Sequence, residues 1–356
     1  MTAVERTLEL GTAEPNSAGG PTSTSTSTST SSVPRRCLVK RDPFARVRVI
    51  LVSGYVGAYM VWFVAQGVII DRISVTIAVV ILLVLANVGR PFRRWVTLAG
   101  DVVLYALMWL VYEESRGIAD RIGMPLQVES VRNIDRALLF GRDASVELQH
   151  HFYDPRHVRW YDVVGSLVYM SHYWLPIAVF VTLWIRNRRQ WVRFVRRFAT
   201  VLFVACIMFV FVPTAPPWMA AGGDEKIRLN ALDPVQRITW RGWRHIGLHG
   251  FAHAWDTGRD WLNNVAAMPS LHAGFSLFVV VFAFPWVRRG PARAAMLMLP
   301  AAMATSLIYF GEHYLADAVA TWILVGLTFL GWNRIERSLR SRRIARSRRA
   351  LAELAP

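Results

Sequence analysis

Cysteine is almost missing from this 356-residue chain, which has two. Cys37 lies in a basic leader and Cys206 inside an apolar run, so they form neither a CxxC metal pair nor a disulfide framework. Charge is scarce as well: 18% of residues are charged against 54% hydrophobic, with a positive mean hydropathy. That balance excludes an ordinary water-soluble enzyme. Acidic residues are the scarcer sign, 24 against 41 Lys plus Arg, a formal net charge of +17. No apolar stretch follows a short basic one before residue 47, so the start does not read as a secretory signal peptide.

What is present is apolar length. After a Ser/Thr-rich stretch, Thr22 to Ser32, with nothing to bury and therefore read as disordered, eight apolar runs follow. They lie near 47–70, 73–89, 96–112, 161–185, 194–213, 265–287, 292–311 and 315–333. Each is about long enough to cross ~30 Å of hydrocarbon as a helix, and all exceed the ~10 alternating residues of a membrane strand. The expected fold is therefore an all-α polytopic membrane protein of about eight transmembrane helices. Its expected divisions are a disordered tail and basic leader (1–46), a membrane domain (47–333) and a basic tail (334–356).

Position explains the charge. With the N-terminus inside, cytoplasmic segments hold 26 of the Lys and Arg and the opposite side 14, the remaining one being Arg6 in the tail. Positive residues mark cytoplasmic segments, so both termini of this cell-membrane protein are expected inside. The Arg-rich tail then suits anionic lipid, and no nucleic-acid partner is expected. Two long segments, 113–160 and 214–264, fall outside. The second, with Trp218, Trp240, Trp243, Trp255 and Trp261, reads as an interfacial anchor.

Chemistry concentrates at two places. Met268-Pro269-Ser270-Leu271-His272 opens an apolar run with a helix-start signal, Pro at a first helical position beside a hydroxyl, putting His272 in a first turn whose free N–H groups can hold an anion. Glu312-His313-Tyr314-Leu315-Ala316-Asp317 spaces His313 and Asp317 four apart, on one face if helical. A carboxylate on one imidazole nitrogen fixes the tautomer and frees the other nitrogen as nucleophile or base. Both histidines emerge on the same side in this topology. His172, in the fourth run, reads as a polar residue joining two helices. Zinc on His272, His313 and Asp317 is chemically allowed, but no HExxH accompanies them, and phosphate chemistry is preferred.

Met-Pro-Ser-Leu-His followed some forty residues later by His-Tyr-x-x-Asp resembles the second and third signature motifs of the type 2 phosphatidic acid phosphatase (PAP2) superfamily. More narrowly, the chain is similar to its inositolphosphotransferase branch, which includes inositol phosphorylceramide synthases, and to that branch's actinobacterial relatives. Further similarities are Asp135-Arg136-Ala137-Leu138-Leu139-Phe140-Gly141, His172-Tyr173-Trp174-Leu175-Pro176 and Pro213-Thr214-Ala215-Pro216-Pro217-Trp218. Two features depart from the wider superfamily: Leu83 occupies the position of the first motif's Lys, and Ser306-Leu307 replaces Ser-Arg. Other cations must hold the phosphate, with Arg116 foremost and Arg132, Arg136 and Arg142 behind it.

The resemblance implies a PAP2-like six-helix catalytic core and a phosphotransferase or phosphatase acting on a lipid phosphate or phospholipid headgroup at the extracytoplasmic face. In it His313 is the nucleophile of a phosphohistidine intermediate, Asp317 its orienter and His272 the general acid and base. Ser270, Arg116 and Arg136 would bind substrate. No cofactor or metal is required. The acceptor is an alcohol such as inositol or a sugar, or else water. A transporter or a non-catalytic lipid binder are the alternatives outside enzymology, and there is no internal repeat to favour the former.

Overall fold

The computed structural model describes residues 42–66, 72–223, 234–250, 252–253 and 265–353. Each apolar run forms a helix, because a backbone in hydrocarbon must satisfy its hydrogen bonds within its own segment. They are α1 (Ala45–Gln66), α2 (Arg72–Asn87), α3 (Phe92–Ile122), α6 (Trp160–Arg186), α7 (Arg188–Phe211), α9 (Leu271–Ala283), α10 (Gly290–Tyr309) and α11 (Leu315–Glu353). Three short helices belong to the long connecting segments: α4 (Glu129–Leu138), α5 (Ala144–Phe152) and α8 (Trp240–His245). Five helices among the described residues meet both length and apolarity for crossing a membrane: Phe92–Ser115, Trp160–Arg186, Arg188–Phe211, Gly290–Tyr309 and Leu315–Arg348. Ile73–Asn87 and Leu271–Trp286 are shorter apolar helices. The first 41 residues, residues 67–70 of the first run, and Trp255 and Trp261 lie outside the described residues. The C-terminal basic segment departs from a separate tail: α11 continues through it without a break.

The helices meet through large apolar side chains. Phe194 of α7 packs edge-on against Phe278 and Phe282 of α9, with ring centroids 5.1 Å apart in both pairs. Phe278 contacts Phe329 of α11 at 5.3 Å. α3 runs along α7, and α9 lies among α6, α7, α10 and α11. Outward faces keep exposed apolar residues such as Leu107, Leu110, Ile207, Met298 and Leu327, an apolar exterior suited to lipid.

At one end of the bundle the chain changes character. Isolated parallel bridges tie Gln127 to Thr214 and Thr214 to Ala266, so the segments before α4, after α7 and before α9 come together. This clamps both long connections over the ends of α9, α10 and α11. They are part of the packed structure: Trp243 is fully buried and donates through Nε1 to the Ser166 carbonyl at 2.8 Å. The interfacial-anchor reading is thereby corrected for Trp243, which faces protein; Trp218 is half-buried and lies beneath Arg237. A buried indole N–H needs an acceptor, and the end of α6 supplies one.

Candidate active site

The two histidine motifs sit at adjacent helix starts. Ser270 caps α9, its Oγ accepting from the Ala273 N–H at 3.4 Å, while its own N–H donates to the Asp317 carbonyl at 3.2 Å. Pro269 stands before this cap instead of at the first helical position. Ser270 is fully buried, and its hydroxyl oxygen accepts the capping bond of α9. Gly274, one turn on, lies against Thr321 of α11 with no room for a Cβ, which brings His272 close to the start of α11.

His313 is not on a helix. It lies in the turn between α10 and α11, where Gly311 has φ +72° and a Cβ would stand 2.8 Å from Val235 Cγ1. Only glycine suits that reversal beneath the 234–239 segment. Asp317, in the first turn of α11, accepts from the Tyr314 N–H at 2.9 Å and faces His313 Nδ1 at 3.2 Å through the same Oδ2. The four-residue spacing therefore works through a helix-start turn, with the acidic residue reaching back as in half of a capping box, and not through a shared helical face.

His313 Nε2 faces His272 Nδ1 at 3.2 Å, and His272 Nε2 faces the Tyr169 hydroxyl at 3.0 Å. The result is a line of groups: Asp317, His313, His272, Tyr169. Asp317 is fully buried and His313 nearly so. Because His313 uses its two nitrogens on opposite sides of its ring, the two histidines and Asp317 do not converge on one point as zinc ligands would. Among the described residues, no group of three or more His, Cys, Asp or Glu is placed to hold a metal. His172 stacks edge-on against His272, centroids 4.1 Å apart, with its Nδ1 at the Tyr169 carbonyl.

These groups open into a cavity of about 350 Å³ whose walls include Tyr169, His172, Trp218, Arg237, His272, Glu312 and His313. Its arginine is one that sequence reasoning did not single out. Arg237 Nε donates to Glu312 Oε1 at 2.8 Å, Thr239 Oγ1 donates to the same oxygen at 2.6 Å, and the guanidinium lies over Trp218 at 5.2 Å. Burial alone would lower the Arg237 pKa; the charge and hydrogen bond of Glu312 outweigh it and raise it.

Of the arginines proposed from sequence, Arg132, Arg136 and Arg142 do not line this cavity. Arg132 makes a bidentate pair with Asp143, 2.8 and 2.7 Å. Arg136 donates to the Gly141 carbonyl at 2.9 Å and is not among the cavity-lining residues. Arg142 is exposed. Arg116 is on α3, its side chain outside the described residues. Asp135, between Arg132 and Arg136, accepts from the Ala316 N–H at 2.9 Å and so braces the start of α11. Burial lifts its carboxyl to about 6, against the lowering effect of that bond.

Residues 129–331, more than half of the chain, match the PAP2 superfamily. The chain belongs to that superfamily. It is also 26% identical over 256 residues to phosphoinositol dihydroceramide synthase of Bacteroides thetaiotaomicron, covering 70% of this chain and 79% of that protein. No solved structure matches it. The matched range holds α4 to the membrane part of α11, and with them His272, His313, Asp317 and Arg237; α1, α2 and α3 precede it. The protein is accordingly a membrane enzyme, a PAP2-type lipid phosphotransferase or phosphatase.

Proposed function

We propose that this enzyme transfers a phospho-alcohol or phosphoryl group from a membrane lipid through a covalent phosphohistidine on His313. The observation that carries this is the line of four groups, ending in Tyr169, inside a cavity that also holds a cation. Asp317 opposite Nδ1 keeps the proton on that nitrogen, so Nε2 presents its lone pair. An incoming lipid phosphate enters from the cavity that both histidines line and parts the 3.2 Å contact of His313 Nε2 with His272 Nδ1, with Arg237 drawing its charge. Nε2 attacks phosphorus and the bond to the leaving oxygen breaks. Asp317 stabilises the cationic phosphohistidine, and His272, which takes up a proton as the anionic phosphate enters, gives its Nδ1 proton to the departing oxygen. The neutral His272 then takes a proton from the acceptor hydroxyl, which attacks phosphorus and frees His313.

Preorganised donors supply the charge stabilisation: Arg237 and the N–H groups at the start of α9. Glu312 and Thr239 hold Arg237 in place. The similarity to a synthase favours an alcohol acceptor, inositol- or sphingolipid-related, over water. Extracytoplasmic action is supported by the distribution of Lys and Arg and by the clamping of both long connections at the end that holds His272 and His313.

Trapping tests the reading. Brief incubation with lipid labelled on phosphate, then quenching, should leave an acid-labile, base-stable label on the protein that His313→Ala lacks. Adding inositol or a ceramide should discharge it faster than water does. Full turnover by correctly inserted His313→Ala would overturn the mechanism.

A further inference from the structure

Below the catalytic cavity runs a second, narrower crevice of about 90 Å³. The two share wall residues: Tyr105, Met108, Pro176, Ile177 and Phe198 line both. They also use successive levels of the same helices. On α3 the walls run from Tyr112 in the cavity down to Asp101 in the crevice, and on α6 from Tyr169 down to Phe180. α2 closes the side of the crevice with Val79, Val80 and Leu83.

The lower end has a polar floor that is already satisfied. Asp101 receives Trp184 Nε1 at 2.7 Å and both Arg188 nitrogens, at 2.5 and 2.7 Å. Arg188 in turn lies over Trp191, 3.9 Å from the ring centroid. Above this floor the walls are almost wholly apolar, so nothing in the crevice recognises a polar ligand, and its floor ends an apolar one.

We propose that the crevice is the subsite for one unbranched alkyl chain of the lipid substrate, entered from the catalytic cavity. It rests on the reading of that cavity as the phosphate site. Eleven residues of helix at roughly 1.5 Å each give a path of about 16 Å from the histidines to the floor, most of it through the larger cavity, so that the crevice receives the last carbons of the chain. Size and lining separate its occupant from a headgroup: the larger compartment, with its histidines and Arg237, holds the phosphate, and the small apolar one the end of a single chain. Two of its walls, α2 and α3, precede the matched superfamily range, and the other two, α6 and α7, lie within it. Chain length would thus be read by α2 and by the Asp101–Arg188 floor, and chemistry by the histidines.

The test uses purified full-length His313→Ala protein, which needs no turnover, and an alkyl phosphate of fifteen or so carbons with a photoreactive diazirine at its far end. Labelling should map to residues 76–83, 101–105 and 191–195 and be competed by hexadecyl phosphate. Uncompeted labelling spread over outward-facing residues such as Leu110 and Leu327 would overturn the proposal. A second variant, Leu83→Trp, adds bulk near the floor. It should weaken competition by hexadecyl phosphate about tenfold and leave octyl phosphate within about twofold; an equal effect on both lengths, or none, would count against the subsite. Failure of the phosphohistidine reading would show in the trapping experiment and leave this labelling unchanged.

Discussion

The middle of the bundle and its catalytic end are built on opposite principles. In the middle, Phe194, Phe278, Phe282 and Phe329 meet as apolar rings, each contact small and replaceable by another of similar volume. At the catalytic end, buried polar groups pair across long sequence distances. Gln149 bonds Gln236 and the Tyr309 carbonyl, Tyr309 bonds Asp162, Ser166 bonds the Thr239 carbonyl, and Glu312 bonds Arg237 and Thr239. A buried polar atom that loses its partner keeps its desolvation cost, whereas an apolar atom loses only contact. One region should therefore tolerate substitution and the other should not.

The largest effect expected from this contrast is at His313. His313→Ala should reduce turnover on the order of 10⁴-fold or more while leaving the protein folded, since nucleophile loss is not compensated by its neighbours. Asp317→Asn should cost less, up to about 10⁴, because it disturbs orientation and charge. Steady-state assays with a lipid phosphate, alongside gel filtration, check both. Equal activity of the two variants and the wild type would move the chemistry out of this line of groups.

Arg237 sharpens the comparison, because it has both a catalytic and a structural side. Arg237→Met should lower kcat by about 10² to 10³ and destabilise by roughly 3–5 kcal/mol, since Glu312 would be left buried and charged. The double variant Arg237→Met with Glu312→Leu should regain most of the thermal stability and none of the activity. Recovery of activity in the double variant would show that Arg237 serves packing alone.

Volume-matched changes test the contrast directly. Gln149→Leu should cost about 2–4 kcal/mol by orphaning the Gln236 and Tyr309 backbone groups. Phe278→Leu in the middle should cost only about 1 kcal/mol and leave kcat within about twofold. Thermal unfolding in detergent reads both, and a reversed order would break the division.

The last expected effect is in pH dependence. Asp135 ordinarily titrates near 3.8 and is lifted to about 6 in the fold, so the native state holds a proton that the unfolded chain releases. Stability then falls as pH rises from about 4 to about 6, by up to about 1–3 kcal/mol. Asp135→Asn, which keeps an acceptor for the Ala316 N–H, should flatten that slope. An unchanged slope in the variant would assign the pH dependence to another group.

Much of the apolar half was legible in the sequence because its code is local. A run such as 194–213 must form a helix to satisfy its own backbone, whatever it packs against. The proposed catalytic pair was legible for a similar reason: His313 and Asp317 are near in sequence, so their contact needs only one turn. The cation was not legible. Arg132, Arg136, Arg142 and Arg237 look alike in a sequence of basic loops, and Arg237 reaches the cavity where residues 234–239 pack over the turn at Gly311. Nor did the Trp-rich segment reveal that Trp243 would be buried against α6, since tryptophan serves cores and interfaces equally.

By itself, then, the sequence determined an all-α membrane protein, its two histidine motifs and their superfamily, because hydrophobic length and short-range spacing do not depend on partners far along the chain. Tertiary structure alone decided that Arg237 and Glu312 line the cavity, that Arg132 and Arg136 bond elsewhere, that Ser270 is a cap and that α2 and α3 wall an apolar crevice beneath the histidines. Those outcomes depend on which buried polar group finds which partner. That competition is settled by desolvation across the whole fold and not by any one segment.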